Sequence, residues 1–100
     1  MAEGWQDDPF AINEFSWWCF EQEVNTDEAY QLATRALGLL PAQTPGARRA
    51  MVLDTAAELA LRRDDRAKAI ELWTQAKRAD PESEHYSERL TAAQASAAPL

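Results

Sequence analysis

Between Ala50 and Pro81 the sequence runs AMVLDTAAELALRRDDRAKAIELWTQAKRADP, and this stretch leaves few folds open. Leu53, Ala57, Ala60 and Leu61 recur at three- and four-residue steps before the charged run Arg62-Arg63-Asp64-Asp65-Arg66, and Ala69, Ile70, Trp73 and Ala76 recur after it. Each set makes one apolar helical face. Two helices joined by so short a link must fold back on each other, so the stretch predicts an antiparallel hairpin over 46–62 and 65–79. Alanine at many contact positions permits close approach of the two axes, and Trp73 is expected to fill volume that Ala56 and Ala60 leave open.

The first half repeats the pattern. Asp8-Pro9 offers an N-cap followed by proline at the first helical position, where a missing N–H goes unnoticed. Ile12, Phe15, Ser16 and Cys19 then form one face, widened by Trp18 and Phe20, which predicts a helix over 9–22 with Cys19 buried and Trp18 in the core. Asn25-Thr26-Asp27-Glu28 reads as a capping box opening a second helix over 26–40, closed by Pro41. In the connector LPAQTPGARR, Thr44-Pro45 predicts the cap of the third helix. Asp80-Pro81 predicts the start of a last helix over 81–93, with Tyr86 and Leu90 as its apolar face and Glu82 and Glu84 at its positive end. Residues 1–7 read as a flexible lead and 94–100 as a fraying tail, leaving one domain over 8–93.

The residues of 50–81 resemble a tetratricopeptide unit, with Leu53, Ala57, Ala69, Trp73, Ala76 and Pro81 at signature spacings. Ala56, Ala60 and Asp64 depart from it, the last standing where a glycine commonly turns the chain. INEFSWWCFEQEVNTDEAYQLATRAL is similar to a degenerate variant of the same family that reads LNxxAWxLAExGxNxDEALxLAxRAL. Ala29 and Ala69 stand 40 residues apart, against a usual period of about 34; the connector absorbs the excess. The resemblance implies an all-α antiparallel superhelix of two hairpins, repeats at 9–40 and 46–80, sealed by a capping helix at 81–93.

Charge narrows the function classes. Net charge is -7, and residues 1–46 hold eight acids against the single base Arg35, while 47–100 hold nine of each. A chain with no basic excess is ill suited to replacing phosphate counterions, so nucleic acid is not an expected partner. No apolar run approaches the roughly 20 residues that span a bilayer, and no export signal opens the chain. The expectation is a soluble protein, cytoplasmic by default, without a membrane partner. One cysteine makes no internal disulfide.

Little in the sequence suggests chemistry. His85 is the single histidine, Cys19 has an apolar helical setting and no neighbouring histidine, and the carboxylates Glu21, Glu23, Asp27 and Glu28 lack the alternation and glycine of a calcium loop. Three scattered glycines form no phosphate-cradling loop. No catalytic residue, metal or cofactor is expected.

The family register implies instead a concave groove floored by Asn13, Trp17 and Glu21 from the first repeat and Asp54, Glu58 and Arg62 from the second. That mostly acidic set, with Trp17 as anchor, suits a basic or amphipathic segment of another protein. The expected function is therefore a non-enzymatic interaction module. Two alternatives stand beside it: an accessory C-terminal module of a larger enzyme, such as a thioredoxin-like protein, and a self-association module using the aromatic-rich first helix.

Overall fold

A computed structural model describes residues 7–96, the side chain of Ser96 excepted. The lead over 1–6, including Trp5, and the tail beyond 96 lie outside the described residues. Five helices follow in order: α1 (Pro9–Gln22), α2 (Thr26–Leu39), α3 (Gly46–Arg62), α4 (Arg66–Ala79) and α5 (Glu84–Ser96), with no strand among the described residues. The chain is all-α. Helices α1 and α2 form one antiparallel hairpin and α3 and α4 a second; α2 also packs on α3, α4 on α5, and α1 touches α3.

Side-chain caps explain the starts of α1 and α4. Asp8 accepts the Phe10 and Ala11 N–H groups at 3.0 and 3.3 Å with Pro9 at the first helical position. Asp65 accepts from the Lys68 N–H at 3.2 Å and starts α4. Asp64 takes φ 63°, the left-handed region that glycine adopts most easily, so the turn is made here by one of the few other residues that tolerate it.

Three expected starts are corrected. Asn25 adopts φ 50° and its side chain makes no capping bond, so α2 begins without the reciprocal box. Thr44 does not cap α3: its hydroxyl donates to the Pro41 carbonyl at 2.7 Å, closing the connector on itself, and Pro45 holds the cap position without a side-chain bond. Pro41 also accepts from Arg49 Nη2 at 3.1 Å. The last helix begins at Glu84 and not at Pro81, because Ser83 N–H bonds the Asp80 carbonyl at 3.2 Å and places Pro81 second in a tight turn. It then runs to Ser96, so residues 94–96 are helical and not a frayed tail.

One continuous core holds Cys19 of α1, Leu53, Leu59, Leu72, Trp73 and Tyr86 together with buried alanines from α2, α3, α4 and α5. Ala56 and Ala60 are fully buried there beside Trp73, the largest fully buried side chain. A smaller cluster joins Ile12, Ala36 and Val52, tying the first hairpin to α3. Trp18 is corrected outright: it is 51% exposed, stacked on Phe15 at 6.4 Å between centroids. Gly46 is required by contact, since a Cβ there would run into the carbonyl of Ala79 where α3 starts beside the end of α4. No described helix is long and apolar enough to cross a membrane.

Candidate functional site

The 3.6-residue period puts Asn13 and Trp17 one turn apart on α1, and Met51 and Asp54 one turn apart on α3. Where the two helices meet, these residues line a pocket of about 310 Å³ together with Glu14 and Thr55. A smaller neighbour of about 90 Å³ continues towards Phe10 and Arg48. Trp17 is half-buried, with Phe20 stacked against it at 5.0 Å between centroids. Met51, 55% exposed, forms the opposite apolar wall.

Of the six residues expected on the groove floor, Asn13, Trp17 and Asp54 are brought together. The other three are not in the pocket. Glu21 is exposed one turn beyond Trp17. Glu58 is only 8% exposed, and its carboxylate accepts from Arg89 Nη2 of α5 at 2.7 Å. Its charge is thus turned to the capping helix and is not open to a ligand. Arg62 donates to Glu23 at 3.0 Å and lies over the Phe20 ring at 4.6 Å, bracing the two hairpins at the far end of α3.

Asp54 has work of its own. The Trp73 indole N–H donates to its Oδ1 at 2.8 Å, and His85 Nε2 lies 3.3 Å from the same oxygen. The Asp54 side chain retains 13% exposure, and a carboxylate has about four lone-pair positions, so part of its accepting capacity still faces the pocket. His85 is exposed, and this contact makes it the outer end of a chain running from α4 through α3 to α5. Tyr86 next to it is buried, and burial, then the charges of Asp54 and Asp80, push its phenol above the ordinary range.

Polar satisfaction is uneven around the site. Thr55 donates its hydroxyl to the Met51 carbonyl at 3.1 Å. Asn13 Oδ1 and Ser16 Oγ, both on α1, are closed off from solvent without a hydrogen-bond partner, as is Arg89 Nε on α5. Cys19 is fully buried, and its thiol pKa is raised by burial and by the nearby charge of Glu28. Glu14, Met51 and Thr55 were not singled out from the sequence. The signal was available: Glu14 precedes Trp17 by three residues, and Met51 precedes Asp54 by three, the spacing that shares a helical face.

Among the described residues no group of three or more His, Cys, Asp and Glu side chains is placed to hold a metal ion. Comparison with family models, with curated proteins and with solved structures gives no match.

Proposed function

We propose that the chain is a non-enzymatic, tetratricopeptide-like interaction module that holds a basic or amphipathic segment of another protein in the α1/α3 groove. The observation that supports this is the convergence of Trp17, Asn13 and Asp54 from two helices on one pocket of about 310 Å³, walled by an exposed methionine. An aromatic ring and a thioether give adaptable apolar contact, and carboxylates at the rim steer a cationic partner. The test is selection of displayed peptides on the whole chain, with binders mapped by NMR. Binders should come out basic, shift the Trp17 indole resonance, and lose about 2 kcal/mol or more with Trp17→Ala. Binders that ignore both Trp17→Ala and Glu14→Lys would place the docking surface elsewhere.

A second reading is favoured by a different observation. Trp18 and Val24 are exposed at the free side and end of α1, and exposed apolar side chains at the end of a short helical array favour contact with a second copy or a neighbouring domain. Solution mass against concentration separates this reading, since Trp18→Gln should abolish any dimer and leave groove binding intact.

A further inference from the structure

Among the described residues, four aromatic rings carry a guanidinium on one face. Arg48 lies 4.1 Å from the centroid of Phe10, Arg62 4.6 Å from Phe20, Arg63 4.7 Å from Tyr30 and Arg89 4.8 Å from Trp73. In three of the four the same guanidinium is also held by a carboxylate: Arg62 by Glu23 at 3.0 Å, Arg63 by Asp27 at 2.8 Å and Arg89 by Glu58 at 2.7 Å. The motif is a sandwich of ring, arginine and carboxylate. It recurs because a planar, weakly hydrated cation gains from stacking and from an in-plane acceptor at once.

Trp17 has the ring and the carboxylates of that motif but lacks the arginine. Glu14 and Asp54 line its pocket, and Glu21 follows one turn along α1. Neither Glu14 nor Glu21 forms an ion pair among the described residues, and no cation of those residues lies over the indole. Arg48, which lines the adjoining cavity, is occupied on Phe10. The Asn13 side-chain Oδ1, on the pocket wall, is without a donor.

We infer that the Trp17 pocket is a seat for one arginine side chain of a partner protein, its stem along Met51 and its guanidinium between the indole face and the Glu14 and Asp54 carboxylates. At about 310 Å³ the pocket stands at the lower limit of ligand sites, which suits a single long side chain better than a whole small molecule. This rests on the groove reading above and gives it a chemical specificity, arginine over lysine and over any uncharged isostere.

The experiment titrates the whole chain with N-acetyl-arginine amide, its lysine counterpart and its citrulline counterpart, following amide and indole N–H resonances by NMR. Citrulline keeps the length and planarity of arginine without the charge. The expected result is a saturable shift of the Trp17 indole and of Asn13 and Asp54 amides with the arginine probe. Lysine should bind more weakly and citrulline about fivefold more weakly, the scale of one cation–π contact at a partly exposed site. Glu14→Gln, at an exposed helical position that leaves the fold alone, should weaken the arginine probe without changing citrulline. Equal binding of arginine and citrulline, or an arginine affinity indifferent to Glu14→Gln, overturns the inference; so do shifts that map away from the pocket. Selected peptides that still bind through Trp17 after each arginine is replaced by citrulline would overturn the arginine seat and leave the groove reading standing. If no selected peptide reaches the groove, the groove reading itself fails.

Discussion

Trp73 offers the sharpest test of the energetics. Its side chain is fully buried in the main core, its indole N–H donates to Asp54 at 2.8 Å, and Arg89 covers its ring at 4.8 Å. Truncation to alanine removes a large aromatic and leaves a cavity, which costs about 3–5 kcal/mol. It also deprives a largely buried carboxylate of its indole donor, and a hydrogen bond to a charged group is worth about 1.5–3 kcal/mol. Asp54 keeps His85 and some exposure to water, so the second loss falls at the low end, and Trp73→Ala should cost about 5 kcal/mol. A domain of this size has about 5–15 kcal/mol in total. Trp73→Phe therefore gives the safer reading: most of the volume stays, the donor goes, and about 2 kcal/mol should be lost. Urea unfolding followed by far-ultraviolet circular dichroism measures both, with an unchanged m-value as the check that only stability moved. A loss below about 1 kcal/mol for Trp73→Ala would mean that neither the packing nor the Asp54 bond matters as described.

Other outcomes follow from single contacts. Glu58→Ala should destabilise by about 1.5 kcal/mol in the same unfolding assay, because it removes the charged acceptor of Arg89, which is itself one-third exposed and regains water; a double cycle with Arg89→Ala should show coupling. Gly46→Ala should cost about 1–3 kcal/mol, since its Cβ meets backbone at Ala79 and backbone has little room to yield. Stability should fall as pH rises above about 8.5: the thiol ionises there in the unfolded chain, while the raised pKa of Cys19 keeps the folded state protonated to higher pH. Cys19→Ala should flatten the first part of that decline, and a thiol reagent should attack the folded protein far more slowly than the denatured one.

What could be read in advance was whatever depends on neighbours in sequence. Helical period, the Asp8-Pro9 start and the burial of Cys19 and Trp73 all follow from residues within a turn or two of one another. The misreadings of Glu58 and Trp18 share a cause in distance. Glu58 looked like a groove residue because its own helix aims it inward, and only the arrival of Arg89, 31 residues later, takes its charge away. Substituting Glu58 by lysine is therefore a stability experiment and not a clean probe of association. Trp17 and Trp18 are adjacent, with the same composition around them, and which of the two lies over the pocket depends on where α3 sits. Pro81 fits a helix start and a tight turn equally well, and the Asp80–Ser83 bond chooses the turn.

The two walls of the groove differ in how firmly they are held. On the α3 side, Asp54 and Glu58 bind the structure from within, through Trp73 of α4 and Arg89 of α5. On the side of the first hairpin, the salt bridges to the C-terminal end of α3 among the described residues are Arg62–Glu23 and Arg63–Asp27, whose carboxylates are 75% and 80% exposed. Pairs of that kind contribute only about 0–1 kcal/mol each and weaken as salt screens them. Two acceptors on α1, at Asn13 and Ser16, gain nothing from the present packing. The pocket's two walls are thus anchored by different means, one by hydrogen bonds to α4 and α5 and the other by apolar packing and screened ion pairs. Added salt therefore screens the Arg62–Glu23 and Arg63–Asp27 pairs and leaves untouched the apolar packing of Ile12 on Val52 that also holds α1 on α3.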